Sequence, residues 1–547
     1  MSYVDAIYDR KHNRIKVVER INGKRVFTDS PVIYEFYYAD VNGKYKSVNG
    51  DSVSRVRTKN FKEYSSELKV HSHKKIFESD CNQIFKHLSN NYLGIDAPDL
   101  HIAYFDIETD FDPERGFSSP SDPFTKITAV SLYLGWTESL ICLVIPPPNM
   151  SKEEAESIVS GFENTYLYYD EKDMLLDFIK LVDDADVLTG WNSESFDIPY
   201  MINRMIRIMS KADTRDLCLW DQYPKKKTFE KYGAESESYD LIGRLHLDYM
   251  LLYQKYTFHE MHSYSLDAIG EYELGEHKVT YAGTLDQLYN QDFKTFIEYS
   301  RQDTYLLYRI DQKKKFIELA NVLAHDNTVL LPTTMGSVAM IEQAIMNEAH
   351  RRDMVIPNKK HISTSDDTKA AGAYVAKPKA GIHRWVGSID INSLYPSIIR
   401  ALNLAPETII GQLRPDKTDS YIQDKMANKK LNNGKTKKGA SFADAWEDMF
   451  GSIEYTDVIN RTPGTTVIID WEDGTSLECS SQEAYDIIFN ESSNLSLSAN
   501  GTILTYDVIG VIPGLLERWY SERKVMQATK KNWVKLRDGI DLPARLL

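Results

Sequence analysis

"HIAYFDIETD" (residues 101–110) alternates so that Ile102, Tyr104, Asp106 and Glu108 share one face of a β-strand and Ala103, Phe105 and Ile107 the other. Two acids therefore project the same way, roughly 7 Å apart at about 3.3 Å of rise per residue. Like charges on a half-buried face are costly unless one is protonated or a cation lies between them, and a hard divalent ion such as Mg²⁺ meets that need. The DxE pattern by itself also fits two exposed acids at a strand end.

Further along, "VLTGWNSESFDIPY" runs an apolar strand into a turn and sets Asp197 among Phe196, Ile198 and Pro199, where an unpaired charge is expensive. The segment "DFKTFIEYSRQDTYLLYRIDQKKKFIELA" predicts a helix with an apolar stripe through Phe293, Phe296, Ser300, Leu307 and Ile310. Asp303 falls on that stripe, with Tyr299 one turn before it on the same side. A core-facing Asp can equally bond a neighbouring loop.

Around these signals, residues 101–310 read as an α/β domain, strands first and then helices at 3.6-residue apolar spacing. Residues 1–100 read as a β-rich amino-terminal domain ("RIKVVERING", "PVIYEFYYAD", "GKYKSV") with a helix near "CNQIFKHLSNNYLG". Residues 311–370 read as mainly helical, packing back on that domain and ending in the polar linker "KKHISTSDDTKAAG". A third unit starts near 371. Within it, residues 411 to about 505 read as polar and irregular, with one hairpin turning at Asp473-Gly474.

At 547 residues the chain is long enough for three or four domains. Cys81, Cys142, Cys218 and Cys479 lie far apart with no CxxC pair, which fits neither a disulfide scaffold nor a zinc site and suits a reducing cytoplasm. The charged start and the short run "SLICLVIPPP" argue against secretion and membrane insertion. A net charge of -15 excludes a protein whose whole surface coats nucleic acid, but leaves local basic tracks at 224–227, 313–315, Lys429 to Lys438 and the terminal segment.

DxE, then NxxxFD (Asn192 to Asp197), then YxxxD (Tyr299 to Asp303), in one domain, resembles the 3′-to-5′ proofreading exonuclease of family B DNA polymerases. "SYSLDAIGEYELGEHK" (263–278) looks like that family's helix before the third motif. The resemblance implies a ribonuclease H-like fold for 101–310. It also implies two metal ions, one on Asp106, Glu108 and Asp303 and one on Asp106 and Asp197, flanking an in-line phosphodiester hydrolysis. Tyr299 orients the attacking water on this reading, and Phe196 stacks on the bases of a single-stranded 3′ end.

"SIDINSLYPSIIR" (388–400) resembles the first palm motif of the same family, DxxSLYPSII, after an apolar strand. By resemblance, Asp390 binds the metals of a polymerase centre, the turn at Ser393 and Leu394 offers N–H groups to a triphosphate, and Tyr395 packs under the sugar. "AGAYVAKP" (371–378) is a weaker match to a template-touching segment. "GVIPGLLERWYSERKVMQATKKNW" resembles the first fingers helix: eight Lys or Arg face four acids over 509–547, Arg523 and Lys524 fall at triphosphate positions, and Gln527 stands where the family has Lys. Neither YGDTDS nor KxxxNSxYG occurs in the sequence, and "EYTD" (454–457) and "IIDWEDG" (468–474) read as loop or hairpin acids.

The expectation is a mixed α/β and α+β multidomain chain: 1–100 amino-terminal, 101–310 exonuclease, 371–508 partial palm with insertion, and 509–547 the start of the fingers. It resembles the amino-terminal part of a polymerase of T-even-like tailed phages, split or truncated, working in the cytoplasm of an infected bacterium. Its expected partners are single-stranded and primer-template DNA, dNTP and a carboxy-terminal polymerase chain. The alternative is a non-catalytic subunit that binds DNA and docks the missing half.

Overall fold

The computed structural model describes residues 2–231, 234–359, 376–391, 393–415, 423–427, 429–430, 436–437 and 456–539. The chain forms two compact units, one of Met1–Tyr34, Arg57–Leu68 and Cys81–Asn347, the other of Glu35–Val56, Lys69–Asp80 and Glu348–Leu547.

In the first unit, β1 (Ser2–Asp9), β2 (Arg14–Ile21) and β3 (Lys24–Pro31) make an antiparallel meander. Beside it lies a mixed six-stranded sheet of β4 (Ile102–Thr109), β5 (Ile127–Leu134), β6 (Ser139–Val144), β7 (Thr165–Leu167), β8 (Val187–Gly190) and β9 (Leu245–Asp248), in the order β7-β6-β5-β4-β8-β9. β4 is central, antiparallel to β5 and parallel to β8. Its alternation resolves as the sequence predicts: Ala103, Phe105 and Ile107 join a core with Phe178, Ile198 and Ile202, while Tyr104 joins a second core with Tyr249, Leu252 and Ile310. Burial on both faces explains why β4 carries large apolar residues at both parities.

Helix α1 (Asp197–Ile208) covers the first face, and α2 (Tyr249–Tyr256) and α3 (Phe293–Lys314) the second. The α3 stripe is buried from Phe293 through Phe296, Ser300, Asp303 and Leu307 to Ile310. Ser131 Oγ of β5 donates to the Ser300 carbonyl at 2.8 Å, and Tyr104 of β4 donates to Asp311 of α3 at 2.6 Å. These bonds set helix against sheet where the acids lie. At the opposite end of β4, Arg20 of β2 pairs with the buried Asp186, which also accepts the His101 N–H at 2.9 Å, fastening meander to sheet.

Among the described residues, the second unit holds a two-stranded ribbon of Lys429–Lys430 and Thr436–Lys437 and two five-stranded sheets. One runs Met354–Val355, Tyr45–Ser47, Ser52–Thr58, Tyr34–Ala39, Ile76–Phe77. The other falls in the stretch expected to be irregular. There β10 (Ile409–Pro415), β11 (Thr466–Trp471), β12 (Ser476–Ser480), β13 (Leu495–Leu497) and β14 (Thr502–Thr505) form an antiparallel sheet ordered β12-β11-β10-β14-β13. The physical reason is a core the polar composition conceals: Leu413, Val467, Ile469 and Ile503 pack on Ala484 and Ile488 of the helix Ser481–Phe489, which Ser480 and Glu483 cap reciprocally. The expected turn is present, with Gly474 at φ +84°.

A second expectation is corrected as well. No strand leads into Asp390: residues 376–391 are irregular and exposed, with bends at Gly381 and Trp385, Ile389 at 95 % and Trp385 at 100 % exposure. A strand needs a ladder partner, and among the described residues none pairs with this segment. "AGAYVAKP" as far as 375, the linker from 360, most of Lys429 to Lys438, the first two residues of "EYTD" and the end of "RDGIDLPARLL" lie outside the described residues. No helix among the described residues is long and apolar enough to cross a membrane.

Candidate metal centre

β4 delivers two of the acids, and α3 lies across its face to deliver a third. One carboxylate oxygen each from Asp106, Glu108 and Asp303 falls within 4.8 Å of the others. Asp303 is 2 % exposed and Glu108 8 %, while Asp106 is half-buried. Withdrawal from water pushes Glu108 up to about 8, with Asp303 adding to it; burial first, then Glu108, Asp197 and Asp303, holds Asp106 well above the usual carboxylate range. Asp303 Oδ1 is buried and has no hydrogen-bond partner. Three hard oxygen donors, mutually repelled and one of them orphaned, fit a divalent cation.

Asp197 does not join that group of three. It is 4 % exposed at the first position of α1, and its Oδ1 accepts the Ile107 N–H at 3.2 Å, between Asp106 and Glu108 on β4. Burial raises it to about 7, Asp248 adding to the shift. Its neighbour Phe196 stacks on Tyr200 at 5.3 Å.

Sequence reasoning missed Lys278. Its Nζ donates to Asp303 at 2.6 Å and to the Tyr299 hydroxyl at 3.1 Å. Burial alone pulls its pKa down, but Asp303, Asp106 and Glu108 outweigh that and hold the ammonium charged. The only signal was position: Lys278 closes "SYSLDAIGEYELGEHK", three residues past Gly275, whose φ of +70° ends the preceding helix and turns the chain back. Burial and the nearby carboxylates raise the Tyr299 hydroxyl, which stays protonated.

In the second unit, Ser393 stands in the left-handed region at φ +53° and opens helix α4 (Leu394–Ala401). Arg523 of helix α5 (Val511–Gly539) donates to Ser393 Oγ at 3.3 Å. Lys524 lies over the Tyr520 ring at 4.5 Å, and Arg400 over the same ring at 4.0 Å. Two expected triphosphate contacts, Ser393 and Arg523, are thus brought together. Leu394 and Tyr395 are exposed at the helix start, and Asp390 is exposed in the segment before it.

Comparison with known proteins decides the family. A model described as "DNA polymerase family B, exonuclease domain" matches residues 47–269 and one described as "DNA polymerase family B" matches 329–444, together more than half of the chain. The chain belongs to DNA polymerase family B. The first match takes in Asp106, Glu108 and Asp197 of this family B chain, and the second takes in Asp390 through Tyr395. Among its relatives, the DNA-directed DNA polymerase of Escherichia phage RB69 is 30 % identical over 363 residues, 61 % of this chain and 39 % of the relative. That of Enterobacteria phage T4 is 31 % identical over 261 residues, 47 % of this chain and 28 % of the relative. The DNA polymerase delta catalytic subunit of Schizosaccharomyces pombe is 30 % identical over 334 residues, 57 % and 29 % respectively. The chain spans well under half the length of these curated relatives.

Proposed function

We propose that this family B chain removes nucleotides from the 3′ end of single-stranded DNA by Mg²⁺-dependent hydrolysis, as the proofreading part of a phage replicative polymerase acting in the host cytoplasm. Residues 101–310 form the ribonuclease H-like exonuclease domain on this reading. Residues 1–100 with 311–370 form an amino-terminal domain, 371–508 a partial palm with its insertion, and 509–547 the start of the fingers. The observation that carries the reading is the gathering of Asp106, Glu108 and Asp303 around a buried, unpartnered carboxylate oxygen.

Asp106, Glu108 and Asp303 would hold one cation, and Asp106 with Asp197 would hold a second. Bound there, divalent ions stabilise negative charge on a phosphate and lower the pKa of water. The protein's own groups do the rest. Tyr299 keeps its proton and orients a water through its hydroxyl oxygen. Lys278, 3.1 Å from that hydroxyl, faces the charge that develops on the phosphate and favours the charged form of Asp303 against the burial that raises its carboxyl. Phe196 offers an aromatic ring on which an unstacked base stacks.

Asp390, Ser393, Leu394, Tyr395, Arg523 and Lys524 supply one side of a dNTP and primer-template site. Chain extension on this reading needs the second palm carboxylate from residues beyond these 547, on the same polypeptide or on a second chain that docks here.

An end-labelled single-stranded oligonucleotide tests the nuclease. Stepwise shortening from the 3′ end is expected with Mg²⁺ and none with EDTA, and Asp106→Ala with Glu108→Ala should abolish it. Undiminished shortening by the double variant refutes the site; DNA binding without hydrolysis by the unaltered chain favours a docking subunit.

A further inference from the structure

A further buried carboxylate stands behind Asp197. Asp248 is the last residue of β9 and is 5 % exposed. Its Oδ1 accepts the N–H of Asn192 at 3.1 Å and of Met250 at 2.9 Å, and its Oδ2 accepts the N–H of Glu194 at 3.1 Å. Two of these donors belong to the short turn between β8 and α1, which ends at Asp197. In that turn Asn192 sits in the left-handed region at φ +62°, which asparagine adopts more readily than most side chains.

Chemistry argues that this residue type has a purpose here. A further acid beside Asp106, Glu108, Asp197 and Asp303 adds repulsion, and Asp248 contributes to the raised pKa of Asp197. An ionised carboxylate is nevertheless an acceptor at every lone pair and takes three amides at once, whereas Asn turns an NH₂ toward one of them and Ser offers a single oxygen. Around the same turn, Ser193 Oγ meets His246 Nε2 at 2.8 Å, and Trp191 Nε1 donates to the Tyr264 carbonyl at 2.9 Å. Asp248 and His246 belong to β9, the neighbour of β8 on one side. On the other side is the Asp197 bond to the Ile107 N–H.

We infer that Asp248 is a positioning residue: by clamping the amides of Asn192 and Glu194 it fixes the turn that carries Asp197 against β4, and so sets the affinity of the cation that Asp197 shares with Asp106. The inference rests on the divalent-cation reading of these acids. It assigns Asp248 no contact with substrate or metal.

Mn²⁺ binding followed by electron paramagnetic resonance on the full chain, with no DNA present, tests it in a double-variant cycle. Asp248→Ala is expected to weaken Mn²⁺ binding by about tenfold or more, as loss of a group that orients a ligand does. In an Asp197→Ala background the same change should cost nothing further, because its route is already gone. With single-stranded DNA, kcat should fall while KM holds. An equal loss in both backgrounds, or no loss in either, overturns the inference and makes Asp248 a fold-stabilising residue only. Should Asp248→Ala fail to melt cooperatively, Asp248→Asn carries the test: it keeps the volume and one acceptor, an intermediate loss is expected, and wild-type affinity overturns the inference. Failure of the underlying reading shows separately, as Mn²⁺ binding that survives Asp106→Ala with Glu108→Ala.

Discussion

Lys278 is one positive charge facing several carboxylates, and its pair with Asp303 is buried enough to matter. Removing one partner of such a pair strands the other. Lys278→Met is therefore expected to destabilise the protein in EDTA by about 3 kcal/mol, and millimolar Mg²⁺ should recover part of that loss by taking over the neutralisation of Asp303. Urea midpoints in the two buffers measure it; equal destabilisation in both would mean that no cation replaces the ammonium. At this scale the acids were legible and the base was not. Asp106 and Glu108 follow from alternation along one strand, and Asp303 from a helical period, both properties of a few consecutive residues. Lys278 reaches the pocket across a loop, and nothing in a run of charged residues says which of them turns inward.

Two elements set the geometry that these side chains inherit. At the end of β8, Gly190 lies so close to its surroundings that an added Cβ would stand 2.7 Å from Ser193 Cβ and 2.9 Å from the Phe105 carbonyl oxygen. Gly190→Ala must push the turn or β4, at a cost of about 1–3 kcal/mol. Because the turn leads to Asp197, nuclease kcat should fall more than that of a control variant of equal stability. A melting curve and a rate on one preparation decide it.

In β1, Asp5 is buried and accepts the Gly243 N–H at 2.9 Å. Burial raises its carboxyl from 3.8 to about 7, so the folded state holds a proton that the unfolded chain releases. Asp5 therefore costs stability increasingly as pH rises from about 4 to 7 and no further above that. Asp5→Asn should flatten the pH dependence of the urea midpoint over this window, while leaving that of the other acids in place. An identical slope in both proteins would contradict the assignment. The strands and helices around the acids were legible because their periodicity runs over eight or more residues. Of the β10–β14 sheet only the β11–β12 hairpin was legible, because β10 lies some fifty residues before its partner β11 and the shared core forms only when distant segments meet.

For the whole molecule, a net charge of -15 makes a DNA substrate an unfavourable partner unless local charge is reversed where it binds. On the proposed reading, cations held by Asp106, Glu108 and Asp303 would answer this in the first unit, while the second unit sets Arg523 against Ser393 and Lys524 over the Tyr520 ring. The order of motifs along the chain made the family legible from sequence; the structure gathers Asp106, Glu108 and Asp303 and bonds Asp197 to the Ile107 N–H between the first two. The surroundings of Asp390 were not legible, because a strand is specified as much by the neighbours that pair with it as by its own alternation.

Everything turns on whether a divalent ion occupies the space between β4 and α3. Anomalous scattering from crystals soaked in Mn²⁺ locates it directly. The account predicts a peak bonded to carboxylate oxygens of Asp106, Glu108 and Asp303, lost when Asp106 and Glu108 are replaced by alanine. A structure with Mn²⁺ bound elsewhere, and Lys278 alone satisfying Asp303, would contradict it.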